Sequence, residues 1–314
     1  MKKVKKTTKA GSAILAVVML IGVMMCAPFR VSAEETYYDS EYYVEKTYHD
    51  FKYYVEEDNT CTLTKYIGSA ASVTIPYDIL GHKVTFLDYT FKGCTSVKSI
   101  KIPDGVTRIS ASTFIGCDNL TSITAYKNSS VYSSVDGVLF NKAQDTLIAY
   151  PIGKAGDYQI PDGVTSIGNK AFGYCKGLTN ITIPESVTWI GNDVFSCCTN
   201  LTSITIHDGV SSIGKWGLSG CTNLTNITIP ESVSWIDDKA FYGCKSLTIY
   251  GYEDSYAQEY ADEHNIPFIV ISDDKIFGDV NGDGIVSVFD VTLIQKYIVG
   301  GYQNTGLVGM TANI

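Results

Sequence analysis

A mostly β chain, wound as a solenoid of short strands, is the fold class this sequence predicts, and three observations carry the prediction. Cys94 and Cys117 lie 23 residues apart, as do Cys175, Cys198, Cys221 and Cys244 in succession. The same phrase returns around these cysteines: an apolar residue such as Phe172 before, typically a leucine three residues after, then isoleucines. One copy reads Phe195-Ser-Cys-Cys198-Thr-Asn-Leu201-Thr-Ser-Ile204-Thr-Ile206-His-Asp-Gly-Val210. Finally, Ile-Pro followed by Asp-Gly or Glu-Ser recurs at one place in the units, as at Ile102-Pro103-Asp104-Gly105 and Ile183-Pro184-Glu185-Ser186.

A fixed period of about 20–29 residues with Leu-x-x-Ile-x-Ile is the pattern of a leucine-rich-repeat solenoid. One unit cannot bury its apolar edge alone, so neighbours stack into a single long core. Within a unit, proline ends the first strand because it has no donor, and the two residues after it supply a turn. The chain re-enters as a short second strand, Val-x-x-Ile. Phe51 to Val55 is expected as a first strand capping the solenoid, and a degenerate unit follows from Cys61 to Leu87. Between Cys117 and Cys175 the interval is 58 residues, so one unit is enlarged. Val138–Phe140 and Thr146–Tyr150, flanking a polar turn, predict a hairpin there. After Cys244 the phrase fails. Ser255-Tyr-Ala-Gln258 is a capping box that opens a short helix stopping at Asn265 and Pro267, and a strand from Phe268 to Ile271 completes a C-terminal cap.

The ends differ from this interior. Lys2, Lys3, Lys5, Lys6 and Lys9 precede an apolar run from Ala13 to Met25, and Val31-Ser32-Ala33 offers a small-residue cleavage site, so residues 1–33 have the form of a secretory signal. That run is too short for a flanked membrane span, and no other segment is long and apolar enough to cross a bilayer. The chain carries a net charge of −9, and removing six positive charges with the signal leaves −15. Such a balance repels nucleic acid and anionic membranes. Residues 34–49 are acidic and tyrosine-rich and are expected to be a linker, the solenoid with its caps spans 50–271, and 272–277 lead to a different segment, 278–314.

Coils stack about 4.8 Å apart, within disulfide reach, but equivalent side chains point in parallel and meet the required dihedral near 90° only with strain. Buried thiols filling a core layer are therefore expected. If Cys198 points inward, Cys197 beside it need not, which makes it the candidate for a reactive thiol, although no function is expected of it. His49, His82, His207 and His264 are not spaced with other ligands as zinc or a nucleophilic dyad requires, and no nucleophile elbow or phosphate loop is present. The reading is non-catalytic. Trp189 and Trp235 occupy the outward slot of Val-x-x-Ile, two coils or about 10 Å apart on one face. Two readings of them stand: a strip for protein or carbohydrate contact, or partial burial against the adjacent coil.

Units of the form Ile-Gly-x-x-x-Phe-x-x-Cys-x-x-Leu-x-x-Ile-x-Ile-Pro-x-x-Val resemble the BspA-type leucine-rich repeats of secreted bacterial proteins, over about residues 50–271. That resemblance implies adhesion or protein recognition and brings no catalytic residues. In the C-terminal segment, Asp279, Asn281, Asp283, Ile285 through its carbonyl, Ser287 and Asp290 fall at positions 1, 3, 5, 7, 9 and 12 of a calcium loop, with Gly284 at the sharp turn. Val291, Ile294 and Ile298 follow at helical spacing. Gly278 to Ile298 resembles one segment of a type I dockerin, including aspartate at position 12. The resemblance implies calcium as cofactor, a cohesin module as partner, and Val288, Phe289, Gln295 and Lys296 as the residues that read it. A dockerin has two such segments and this chain has one, so weak cohesin binding or none is expected of it. The combined expectation is a secreted recognition or adhesion protein attached to a cohesin-bearing, cellulosome-like extracellular scaffold. Two others stand beside it: a free or surface adhesin with a purely structural calcium site, and a polysaccharide-acting enzyme with a cleft formed by the 124–160 insertion.

Overall fold

The structure of the protein, a computed structural model, describes residues 44–271. In chain order its strands begin with β1 (Lys46–Tyr48), β2 (Phe51–Val55) and β3 (Cys61–Tyr66). The first coils hold β4 (Ser72–Thr74), β5 (Asp78–Ile79), β6 (His82–Leu87), β7 (Ser99–Ile102), β8 (Arg108–Ile109) and β9 (Ser122–Ala125). The enlarged unit contributes β10 (Tyr132–Val135), β11 (Val138–Asn141) and β12 (Thr146–Ala149). The stack continues with β13 (Gly156–Gln159), β14 (Ser166–Ile167), β15 (Leu178–Thr182), β16 (Trp189–Ile190), β17 (Ser203–Thr205), β18 (Ser212–Ile213), β19 (Asn226–Thr228), β20 (Trp235–Ile236) and β21 (Thr248–Gly251). Helix α1 (Tyr256–Glu263) and β22 (Phe268–Val270) follow.

Each regular coil places two strands on two faces of one core. The Ile-x-Ile strands run parallel in the order β13-β15-β17-β19-β21-β22, and the shorter Val-x-x-Ile strands run parallel as β16-β18-β20. Alternation explains the outcome: Ile181, Ile204 and Ile227 point inward, while Thr182, Thr205 and Thr228 form a row on the outer surface. From β15 to β20 every paired residue is offset by 23, as in Ile181 with Ile204 and Trp189 with Ser212.

The third side of the coil is a chain of turns that carries the cysteines. Cys117, Cys175, Cys198 and Cys221 are buried, and the described cysteines are thiols rather than disulfides. Each thiol in the column donates backward to a carbonyl of the preceding coil: Cys198 to Phe172 at 3.0 Å, Cys221 to Phe195 at 3.1 Å, Cys117 to Phe91 at 2.9 Å. Each of these carbonyls already accepts a backbone N–H from the cysteine three residues on, so the weak S–H donor takes its second lone pair and ties one turn to the next. Beside them runs an aromatic column in which Phe172 stacks on Phe195 with ring centroids 5.2 Å apart. In the enlarged unit Tyr150 takes the phenylalanine position, stacking on Phe172 at 5.0 Å. One residue before the column cysteine the backbone is left-handed, with glycine at Gly93, Gly116, Gly220 and Gly243 and Cys197 at φ +60° in the same slot.

Both ends of the stack are covered. At the N-terminus β1, β2 and β3 pair antiparallel and bury Phe51, Tyr53 and Leu63. Strand β1 lies inside the stretch expected as a linker. The predicted hairpin forms between β11 and β12, and β10 adds a third antiparallel strand. At the C-terminus α1 buries Ala257, Tyr260 and Ala261, and Tyr260 meets Phe241 edge-on at 5.8 Å. The Ser255 side chain accepts from Gln258 N, while the Gln258 amide oxygen accepts from Asp254 N at 2.8 Å, one residue earlier than a standard capping box. Among the described residues no helix is long and apolar enough to cross a membrane.

Candidate recognition surface

The β16-β18-β20 sheet presents the two tryptophans that the repeat placed outward. Val187, Ile190, Val233 and Ile236 point into the core and fix the strands, leaving Trp189 and Trp235 on the open side, 39% and 45% exposed. Ser212 is the register partner of both, so the indoles stand two strands apart, about 10 Å, with a hydroxyl between them. The Cη2 and Cζ3 atoms of Trp189 lie 3.2 and 3.3 Å from where a Cβ on Gly191 would sit. Glycine there lets the indole lie down along the strand's exit. In the Trp235 coil the corresponding residue is Asp237.

Trp216 belongs to another part of the surface. Its backbone is left-handed at φ +59°, its ring meets Tyr242 edge-on at 5.7 Å, and the Lys239 ammonium sits 4.9 Å from its centroid. The row just before the tryptophan strip is one that single-unit reading passes over. Asp162, Glu185, Asp208 and Glu231 share one turn position in four successive coils, and all are exposed. Applying the 23-residue period to the turn residues as well as to the core would have found them.

Several groups able to do chemistry are buried or engaged in packing. Burial pushes the Cys61 and Cys117 thiols up to about 12 and holds Cys175 and Cys198 well above the ordinary thiol range. His264 stacks on Tyr260 at 4.0 Å with Nδ1 2.9 Å from the Tyr260 carbonyl. Among the described residues no three His, Cys, Asp or Glu side chains are grouped to hold a metal. Beside the 124–160 insertion lies a hollow of about 30 Å³ lined by Ile109, Phe114, Ile148 and Tyr150, a space on the scale of water. A larger hollow of about 270 Å³ at the C-terminal cap is bordered by Phe241, Tyr260 and Pro267. The calcium residues Asp279, Asn281, Asp283, Ile285, Ser287 and Asp290, and the cohesin-facing Val288, Phe289, Gln295 and Lys296, lie outside the described residues.

The family described as BspA type leucine rich repeat region matches the chain in six copies, over residues 71–145 and 152–260. This is a repeat family and not an enzyme family. Among solved structures, a leucine rich cell surface protein of Faecalibacterium prausnitzii is similar at 21% identity, covering 66% of this chain and 88% of that one, with a TM-score of 0.43. A leucine-rich repeat protein of Eubacterium ventriosum is similar at 18% identity over 66% and 84%, TM-score 0.41. The leucine rich repeat protein of T. pallidum is similar at 20% identity over 72% and 98%, TM-score 0.39. No curated protein matches the chain.

Proposed function

The chain belongs to the BspA type leucine-rich-repeat family, and on that premise we propose that it is a secreted, non-catalytic recognition protein whose contact surface is the β16-β18-β20 sheet. The exposed, in-register pair Trp189 and Trp235 carries this reading. Large aromatic side chains on a rigid sheet lose little conformational entropy on contact and supply much of the binding energy of an interface. The ligand is a protein or carbohydrate met outside the cell, and the lysine-rich, apolar start of the chain supports export. In the same reading, calcium bound by Asp279, Asn281, Asp283, Ile285, Ser287 and Asp290 orders the C-terminal segment. Val288, Phe289, Gln295 and Lys296 then face a cohesin module of an extracellular scaffold. The spacing of hard oxygen ligands supports that second contact.

The test is a retention screen of the full chain against host glycoproteins and plant polysaccharides. Wild type should retain a ligand that the W189A/W235A variant loses. Unchanged retention of every ligand by the double variant ends the reading. A cohesin pull-down, run with calcium and with chelator, addresses the C-terminal contact separately: with one dockerin-like segment any capture should be weak and confined to calcium, and capture indifferent to chelator removes it.

A further inference from the structure

The tryptophan sheet is bordered by charge of one sign. Asp162, Glu185, Asp208 and Glu231 occupy the same place in the turn that leads from the first strand of a coil to its second. The offset of 23 holds on both sides of that turn, through Thr182, Thr205 and Thr228 before it and Trp189, Ser212 and Trp235 after it. The turns are also in contact. Ser186 Oγ lies within reach of the carbonyls of Asp162 at 2.8 Å and Val164 at 2.5 Å and gives its one proton to either, and Ser232 Oγ donates to that of Val210 at 2.7 Å. A Cβ on Gly209 would overlap the Glu185 carbonyl. The four turn positions that carry these acids thereby fall in a row at the coil spacing of about 4.8 Å.

The row has no lysine or arginine of its own, His207 beside Asp208 being the one basic side chain in its turns. Residues 161–167, 184–190, 207–213 and 230–236, which contain the turns and the tryptophan strip, include these four acids and neither lysine nor arginine. The ion pairs found among the described residues, Lys52 with Glu45 and Lys176 with Asp118, lie elsewhere. Like charges side by side on neighbouring strands disfavour one another, so a cation arriving from outside relieves a repulsion built into the fold.

The surface also repeats every two coils. Glu-Ser-Val-x-Trp occurs at 185–189 and again at 231–235, whereas 162–166 and 208–212 read Asp-Gly-Val-x-Ser. Each tryptophan is therefore preceded by a glutamate, and the pair is displayed twice, about 10 Å apart. We infer that the occupant of this surface is a basic protein segment, which sets lysine or arginine side chains along the carboxylate row and over the indoles. A guanidinium can lie on an indole face and bond a neighbouring carboxylate at once. A neutral glycan uses the indoles but gains nothing from the row, and an anionic polymer is repelled by it. The inference rests on this sheet being the contact surface.

The experiment measures, by calorimetry with the full chain at low and raised salt, binding of a synthetic peptide alternating arginine with serine. The D162N/E185Q/D208N/E231Q variant is compared with E57Q/E253Q/D262N/E263Q, which removes as many exposed acids elsewhere. The row variant should lose about tenfold in affinity, the control less than about twofold, and raised salt should weaken the wild type. W189A/W235A should also bind less well. Melting temperatures of the row variant should be equal to or above wild type, which separates lost binding from lost folding. Equal loss in the row and control variants, or no measurable wild-type binding at low salt, overturns the inference. If W189A/W235A abolishes retention of a neutral β-linked glucan while the row variant retains it at any salt, the partner is not basic and the tryptophan surface still stands. If neither variant changes any binding, both readings fall.

Discussion

From β15 to β20 every coil has the same length, whereas the parallel pairings before β10 are offset by 22 to 27 residues, as in Phe86 with Arg108 and Ser72 with Ser99. The consequence is on the surface. Where the offset is constant, a side chain at one slot meets its equivalent in the next coil, and rows form: threonines on one sheet, tryptophans and serine on the other, carboxylates at the turn. Where the offset varies, a slot can meet an unlike neighbour on the surface instead. Arg108, which stands where Trp189 stands later, spends its guanidinium over the Phe86 ring at 4.2 Å. The regular half presents a repeated face, and the irregular half carries the antiparallel N-terminal cap.

That contrast can be broken at its strongest point by Phe195→Ala. Phe195 is fully buried in the stack on Phe172, so the change should cost about 3–5 kcal/mol in denaturant unfolding. Phe114→Ala, at a slightly exposed position beside the enlarged unit, should cost less. A finer probe compares two glycines of the same turn. Gly209→Ala should cost about 1–3 kcal/mol because its Cβ meets the fixed Glu185 carbonyl, whereas Gly163, with nothing within 4 Å, should tolerate alanine with little change. A thermal melt of both variants decides whether the regular turns are as tightly stacked as their hydrogen bonds indicate.

Alkaline pH tests the thiol column. With the Cys61 and Cys117 thiols raised to about 12 when folded, the unfolded chain loses these protons first, near the ordinary thiol value of about 8.5. The stabilisation is complete below that value and fades as pH climbs toward 12. Unfolding midpoints should therefore fall between those limits, and fall less in C117A relative to its own value at neutral pH. Smaller still, Ser255→Ala removes the acceptor of the Gln258 amide and should cost about 1 kcal/mol. Least of all, W189A/W235A should shift stability by under about 0.5 kcal/mol per site, as exposed positions do, although it removes the proposed contact.

The regular half was legible in the sequence because one residue type, cysteine, recurs in one slot at a fixed spacing. From it the core layers, the outward tryptophans and the length of the enlarged unit follow. The hairpin at Val138–Tyr150 and the Ser255 cap were legible from local chemistry. Strand β1 was not, since Lys46-Thr-Tyr48 has no buried face of its own and is held by pairing with β2. Tyr150 as the substitute for a phenylalanine, and the alignment of four carboxylates, depend on register across coils. Trp216 shares the residue type of the strip but sits on a left-handed turn, where its ring is turned to Tyr242.

Amide hydrogen exchange of the full chain, with and without a retained partner, reads the contact surface without any substitution. Slowing confined to residues 184–190, 207–213 and 230–236 is the predicted result. Slowing on the Ile-x-Ile sheet or the N-terminal coils, with these segments unchanged, would contradict the assignment of recognition to the tryptophan face.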